Sequence, residues 1–384
     1  MMENLRRAAG NTMVVGISGK ELTGLERAWL KLIRPAGVIL FQRNIDNAAQ
    51  TRALLSQATE SCAPFSLRCV DVEGGTVDRL RDALAPMPSA QAVFLAANAA
   101  PPRSQKRDLG HPVGKRGVMR QHGELVAHGV KAFGFNTTLA PVLDLGLPAS
   151  AEVMGTRVVS ADPKAVATYC RQFLSGLAAH KVMGCAKHFP GLGGGTLDSH
   201  LETPSIDRTM AELTNDDLYP YCELRDRLPV IMVSHAAYPK TPGGNRPASV
   251  SPYWITTILR KRIGYRGLAF SDDLEMGGVL KFLPIEGAAI EAIRAGMDLI
   301  EICHSPELIL RAYEALIAEA ERSTAFRTML LKRSRQSTRL RAQHFKRPTP
   351  QALSAKQFAA LKNEINQFAA TITARQPRSE VEPE

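Results

Sequence analysis

The strongest constraint on the fold is an alternation that runs through most of the chain. Short apolar, β-branched segments alternate with longer amphipathic segments, and the pair occurs eight times. The segments typical of strands cover residues 13–17, 36–41, 67–71, 136–143, 182–188, 230–235, 268–271 and 298–303. The segments typical of helices cover residues 22–33, 48–60, 123–133, 164–180, 210–226, 252–263, 285–295 and 306–322. Prolines at helix starts (Pro163, Pro252) and glycines at helix ends (Gly264, Gly296) support several of these helices.

Eight consecutive strand–helix units predict a (β/α)8 barrel, which we assign to residues 1–324. A doubly wound open sheet is the main alternative. That fold usually has a glycine-rich phosphate loop after its first strand, with the pattern G-x-G-x-x-G. The corresponding stretch here, GISG at residues 16–19, does not match this pattern, so the barrel is favoured.

Two segments fall outside the alternation, and both are basic. Residues 101–120 are rich in proline, glycine and cations and are predicted to form an inserted loop. Residues 325–384 predict a helical C-terminal extension with a frayed acidic tip. The chain has a net charge of +11, and these appendages account for all of the positive excess. We therefore expect neither a nucleic-acid partner nor a polyanion-binding barrel, although a non-catalytic basic binding protein is a remote alternative.

Targeting and redox signals are weak. No apolar run is long enough to span a bilayer, and only the short stretch MVVGI follows Arg6 and Arg7, which is too brief for a secretory signal. The sequence thus predicts a cytoplasmic protein. Its six cysteines form no C-x-x-C pair, so buried thiols are favoured over a disulfide or zinc framework.

Candidate site residues follow from the barrel, because active sites of such barrels lie at the carboxyl ends of the strands. Polar residues end five of the predicted strands, and two glycine-rich loops, residues 71–79 and 187–200, follow two of them. An isolated polar strand end usually meets solvent or caps a helix, but five on one face favour a site. The strand-end residues are Asp71, Asp144, Lys187, His188, His235, Asp272 and Asp273.

Several chemistries are compatible with these residues. Asp272 could act as nucleophile, general base or metal ligand, while Asp273 caps the following helix. In the second loop, Asp198 lies two residues from His200, a spacing that lets a carboxylate orient an imidazole for proton transfer. A metal site formed by His188, His235 and Asp272 is a weaker alternative, and no G-x-S-x-G motif supports serine chemistry. We predict no metal and no cofactor.

Five motifs share a family resemblance. They are AKHFPGLGGGTLDSHLETP, VDVEGGTVDRL, APVLDLG, GTR at residues 155–157 and FSDDLEMGGV. Together they resemble the family 3 glycoside hydrolases, specifically the single-barrel β-N-acetylglucosaminidases of bacterial peptidoglycan recycling. The likeness covers residues 14–305, with the motifs in the same order.

The resemblance implies a role for each matching position. Asp272 would be the nucleophile that forms a glycosyl-enzyme intermediate, and His200, oriented by Asp198, would be the general acid and base. The remaining matching residues would bind the terminal N-acetylglucosamine: Asp71, Arg79, Arg157, Lys187 and His188. One departure is visible, because Leu192 stands where the family pattern K-H-F-P-G-H-G has its second histidine.

The implied activity is that of a retaining exo-β-N-acetylglucosaminidase that needs no cofactor. The implied substrates are small carbohydrates, namely N-acetylglucosaminyl-1,6-anhydro-muropeptides and short chito-oligosaccharides. A neutral imidazole would not repel an anionic acceptor, so a β-N-acetylglucosaminide phosphorylase is an alternative, as is a broader family 3 β-glycosidase.

Overall fold

The computed structural model describes residues 2–99, 114–195, 203–345 and 352–376. Eight parallel strands close into a barrel, and helices surround it, which confirms the predicted (β/α)8 fold. The barrel strands are β1 (Met13–Gly16), β2 (Gly37–Ile39), β3 (Leu67–Val70), β6 (Thr137–Thr138), β7 (Met183–Phe189), β8 (Val230–Val233), β9 (Leu268–Asp273) and β10 (Leu299–Ile302). Around the barrel they follow this order, with β10 pairing back onto β1.

Each of the eight predicted strand segments overlaps one of these strands; six contain it entirely, while β7 and β9 extend beyond the predicted ends by one and two residues. A small antiparallel hairpin, formed by β4 (Val72–Gly74) and β5 (Val77–Asp78), follows β3 at the carboxyl end of the barrel. This hairpin lies within the first glycine-rich loop of the sequence.

The helices of the barrel region lie outside the strands. The bounds of several agree closely with those predicted from the hydrophobic periodicity of the sequence. They are α1 (Met2–Gly10), α2 (Gly24–Ile33), α3 (Ala48–Glu60), α4 (Ala90–Asn98), α5 (Lys115–Ala132), α6 (Ala151–Met154), α7 (Pro163–Ala179), α8 (Met210–Asn215), α9 (Tyr219–Leu224), a π-type helix (Tyr253–Arg262), α10 (Gly277–Leu280), α11 (Ile285–Ala295) and α12 (Pro306–Arg322). Local chemistry fixes their starts: Thr23 and Glu26 form a capping box at α2, and Asp162 caps α7 ahead of Pro163.

Two helix predictions need correction. The single helix expected over residues 210–226 is two helices, α8 and α9, separated by a break at residues 216–218. Helix α5 begins at Lys115, so residues 115–120 are helical instead of part of the predicted inserted loop. The rest of that loop, residues 101–113, lies outside the described residues.

The C-terminal region is helical, as predicted, and its first part lies beneath the barrel. It comprises α13 (Thr324–His344) and α14 (Ala355–Arg375). Leu340 and Phe345, at the end of α13, pack against the apolar cluster that fills the barrel interior. Helix α14 packs on the outside, against α4 and α5. The expected frayed tip lies outside the described residues from residue 377 onward.

The cysteines and the hydropathy of the helices agree with the sequence predictions. All six cysteines are free thiols, five of them buried and Cys222 half-buried. Among the helices of the described ranges, none has the length and apolar character needed to cross a membrane.

Candidate active site

A cavity of about 210 Å³ opens at the carboxyl ends of the barrel strands. Its volume suits a single sugar residue better than a chain of several. Six of the eight residues predicted for the site line it: Asp71, Arg79, Arg157, Lys187, His188 and Asp272. The other two, Asp198 and His200, lie outside the described residues, so the general acid/base pair stays a prediction.

The side of the cavity formed by β3, β4 and β7 contains a buried network of charges. Lys187 donates from Nζ to Asp71 Oδ1 at 2.8 Å and also pairs with Glu73 Oε1 at 2.7 Å. Arg157 donates to both oxygens of Glu73, each at 2.8 Å. Burial alone would raise the pKa of Glu73, but Lys187 and Arg157 outweigh it and lower that pKa to about 2. The network therefore presents fixed charges to a ligand.

Beside this network, Asp144 orients His188. The carboxylate lies 2.6 Å from His188 Nδ1 and accepts the Leu192 backbone N–H at 2.8 Å. An anionic partner at Nδ1 favours the tautomer protonated there, so Nε2 is the nitrogen suited to accept a hydrogen bond. Leu192 itself lines the cavity, where a histidine would follow from the family pattern.

Asp272 lies near the end of β9, and its Oδ1 accepts the backbone N–H of Asp273 at 2.9 Å. Burial would raise the pKa of this carboxyl, but the neighbouring His188 and His235, that hydrogen bond and Lys187 together lower it. Asp272 is therefore an anion at neutral pH, the form that a nucleophile requires. Asp273 accepts the Glu275 N–H at 3.1 Å in the turn after β9. The next helix, α10, begins at Gly277 without a side-chain cap, so the expected capping of that helix by an aspartate is wrong.

Arg79 is half-buried, and its guanidinium differs from that of Arg157 in having a buried Nε. Its Nε has no hydrogen-bond partner among the described residues, although the side chain lines the cavity. A buried donor without a partner is costly, and a ligand hydroxyl or carbonyl would satisfy it.

Comparison with known protein families gives a match over most of the chain. Residues 12–329 match the model of the glycosyl hydrolase family 3 N-terminal domain. The chain belongs to glycosyl hydrolase family 3. It is therefore a glycoside hydrolase, and the polar cavity at the carboxyl ends of its strands is its candidate active site.

Individual relatives agree with this assignment. A β-hexosaminidase of Xanthomonas oryzae pv. oryzae is 35% identical over 309 residues, which is 79% of this chain and 86% of the relative. A family 3 β-N-acetylglucosaminidase from Paenibacillus superposes with a TM-score of 0.81 at 26% identity, over 95% of this chain and 68% of that one. NagZ from Neisseria gonorrhoeae, in complex with N-trifluoroacetyl-D-glucosamine, superposes with a TM-score of 0.71 at 27% identity, over 96% and 98% of the two chains.

The geometry of this family 3 protein does not favour the alternative metal site of His188, His235 and Asp272. Both nitrogens of His235 have partners, with Ser249 Oγ 2.7 Å from Nδ1 and the Asp273 carbonyl 2.8 Å from Nε2. His235 thus links the ends of β8 and β9 and is a structural residue. Within the described ranges, Asp273, Glu275 and His304 do have ligand atoms within 4.8 Å of one another, but the Glu275 carboxylate accepts the backbone N–H groups of residues 303–305.

Sequence reasoning missed two glutamates of the site. Glu73 links Lys187 to Arg157, and its signal was available in the acidic pair of the motif VDVEGG. Glu301 is 2% exposed, lines the cavity from β10, and its Oε1 has no partner in the described part of the chain. A lone glutamate within the apolar run LIEIC was the signal for the second.

Proposed function

We propose that this family 3 enzyme is a retaining exo-β-N-acetylglucosaminidase. The observation on which the proposal depends is that Asp272 shares one sugar-sized cavity with Lys187 and with Arg79, whose Nε has no hydrogen-bond partner among the described residues. The β-hexosaminidase relative and the amino-sugar analogue bound by the Neisseria NagZ support the choice of sugar.

In the proposed reaction, Asp272 attacks the anomeric carbon while His200 protonates the departing glycosidic oxygen. The glycosidic bond breaks and an ester forms between the sugar and Asp272. His200, now neutral, removes a proton from water, whose oxygen attacks the anomeric carbon. The bond between that carbon and Asp272 breaks, which restores the carboxylate and gives net retention. Asp198 orients His200 in both steps. The lowered pKa of Asp272 supports its role as an anionic nucleophile.

The remaining polar residues position the sugar. Arg79 and Lys187 are donors for hydroxyl oxygens, while Asp71 and His188 Nε2 are acceptors. Arg157 acts through Glu73, because both of its hydrogen bonds to that carboxylate are already made. A buried, prearranged set of this kind lowers the free energy of a charged transition state without reorganising water.

The experiment compares the intact protein with Asp272→Ala and His200→Ala on an aryl N-acetyl-β-glucosaminide. Asp272→Ala should lose nearly all turnover. His200→Ala should lose most with poor leaving groups, since these depend on protonation. Asp226→Asn, an exposed carboxylate at the other end of the barrel, is the control and should keep full activity. Normal turnover by Asp272→Ala would remove the nucleophile assignment, and faster hydrolysis of a plain glucoside would remove the substrate assignment.

As physiological substrates we propose N-acetylglucosaminyl-1,6-anhydro-muropeptides in the cytoplasm, the compartment of peptidoglycan recycling. Mass spectrometry of the products is the test: free N-acetylglucosamine and an anhydro-muramyl peptide should appear, at a rate independent of phosphate. Formation of a sugar phosphate would point to the phosphorylase instead.

A further inference from the structure

A second cavity, of about 970 Å³, lies at the opposite end of the barrel from the active site. Residues directly before five consecutive strands line it: Ser66, Asn136, Val182, Pro229 and Gly267. The end of α13 lines it as well, through residues between Leu340 and Phe345. The cavity is therefore concave, ligand-sized and built from the barrel and its C-terminal extension together.

The described residues that line this cavity are strongly cationic. Asp226 is the single carboxylate among them, and it lies 3.7 Å from Arg225 with both side chains exposed. Such an exposed pair contributes little binding energy, so it does not neutralise the site. The lysines and arginines of the lining are Arg68, Lys131, Lys181, Arg225, Arg227 and Arg266.

These cations belong to the barrel and not to the basic appendages. Outside residues 101–120 and the C-terminal region the barrel has no excess of positive charge, yet it concentrates six cations around one cavity. Lys131, Lys181 and Arg227 form no ion pair with another described residue, and neither does Arg266. Clustered cations repel one another and gain from a bound anion, and a concave wall strengthens their combined field.

We propose that this cavity binds a phosphate-bearing small molecule, at a site separate from the active site. Guanidinium groups match the geometry of phosphate oxygens and donate to them in pairs. Phe65, with 42% of its surface exposed, lines the same cavity and offers a ring on which a nucleotide base can stack. The shared chemistry is an oligophosphate group, whose source is a nucleotide or an inorganic chain. The concave shape favours such a ligand over a nucleic-acid duplex, which needs an extended surface.

The test is isothermal titration of the full chain with ATP and, separately, with sodium tripolyphosphate, both without metal ions. Both should bind with dissociation constants below about 100 µM at low ionic strength, and more weakly as salt is added. Tighter binding of ATP would identify base stacking as a contribution, whereas equal binding would assign the affinity to the phosphates alone.

A matched pair of variants locates the site. Arg227→Ala with Arg266→Ala removes two exposed cations of the cavity and should weaken binding about tenfold or more. Lys261→Ala with Arg262→Ala removes the same charge from the exposed end of the π-type helix, outside the cavity, and should leave the affinity unchanged. Turnover of the aryl glycoside should stay at the parent level in both, which shows that the barrel is intact.

Several outcomes would overturn the proposal. They are no binding of either probe at millimolar concentration, equal weakening in the two double variants, and equally tight binding of citrate. Preferential binding of a single-stranded oligonucleotide would replace the small-molecule ligand by a nucleic acid. Should the Arg227/Arg266 variant lose turnover, Lys181→Ala gives the same comparison with one exposed cation removed.

Discussion

At the scale of single residues, two buried glutamates at the same end of the barrel have opposite ionisation. Lys187 and Arg157 outweigh burial at Glu73 and lower its pKa to about 2, so Glu73 is an anion. Glu301 forms no ion pair with a described residue, and burial, reinforced by Asp273 and Asp272, outweighs the effect of Lys187 and raises its pKa well above the usual value of 4.5. The same side chain is therefore a fixed charge in one position and a neutral acid in the other.

This contrast predicts opposite effects of one substitution. Glu73→Gln removes the anion that Arg157 pairs with and one of the two carboxylates that pair with Lys187, and it should lower the free energy of unfolding by roughly 3–5 kcal/mol at pH 7. A depressed pKa stabilises the folded state above the unfolded value, so this loss should shrink as the pH falls below about 4.5.

The matched variant is Glu301→Gln. A raised pKa destabilises the folded state above the unfolded value, so this variant should be as stable as the parent near pH 4. It should gain up to roughly 1.4 kcal/mol for each pH unit above about 4.5. Urea unfolding at pH 4, 5.5 and 7 measures both variants. A loss of the same size for the two glutamines at pH 7 would contradict the assignment.

The site residues also show what a sequence reveals at this scale. Polar residues that end apolar strands were predictable, and Asp71, Lys187 and Asp272 do line one cavity. Their partners were not predictable, because partners come from segments far apart in the chain. Arg157 faces Glu73, 84 positions away, and His235 is occupied by Ser249 and the Asp273 carbonyl.

At the scale of elements, most barrel strands were predictable because they lie in short apolar runs buried on both faces, by the helices outside the barrel and by the other strands' side chains inside it. The helix predictions were wrong where tertiary contacts override the hydrophobic periodicity of the sequence. The predicted helix over residues 210–226 breaks after Asn215, where the backbone of Leu218 donates to the Leu213 carbonyl and buried Asp217 turns toward Gly191. Helix α1 has no apolar period long enough to stand out, and it is stabilised by packing against α12 and α13.

The loop that contains His200, the proposed general acid and base, begins at Gly191, and this position gives an element-scale prediction. Its φ is +137°, and an added Cβ would lie 2.7 Å from Asp217 Oδ1. Gly191→Ala should therefore shift the start of the loop that contains His200 and lower kcat at least about tenfold, because proton transfer depends on close positioning.

Gly264→Ala is the control for this variant. Gly264 also has a positive φ, +78°, but an added Cβ would meet nothing within 4 Å. Both variants should lose about 1–2 kcal/mol of stability from the backbone strain, yet only Gly191→Ala should lose turnover. Aryl glycoside kinetics beside thermal unfolding separates the two effects. Equal kcat values for both variants would show that the start of the loop does not position a residue on which turnover depends, contrary to the role proposed for His200.

At the scale of the whole molecule, the C-terminal extension is part of the barrel and not an appendage. Arg341 of α13 is fully buried and donates from Nη1 to the carbonyl oxygens of Ala36, Pro64 and Phe65, at 3.0, 3.0 and 3.1 Å. Its Nη2 donates to Asn11. Burial lowers the pKa of this guanidinium to about 10, so it is charged at neutral pH and is satisfied by oxygens from three separate segments.

Arg341→Leu should consequently destabilise the entire barrel, by about 3 kcal/mol or more, because it removes the four hydrogen bonds that join α13 to three separate segments of the barrel region. Arg339→Leu, an exposed arginine on the same helix, should change stability by about 0.5 kcal/mol at most. Urea unfolding, followed by the fluorescence of Trp29 and Trp254, measures both variants, since these residues lie in the barrel core and not in the extension.

The expected result is a single unfolding transition that moves to a lower urea concentration for Arg341→Leu alone. If the extension instead unfolded without affecting the barrel, the tryptophan transition of Arg341→Leu would coincide with that of the parent. The second cavity, which α13 helps to form, would then have to be built by the barrel loops alone.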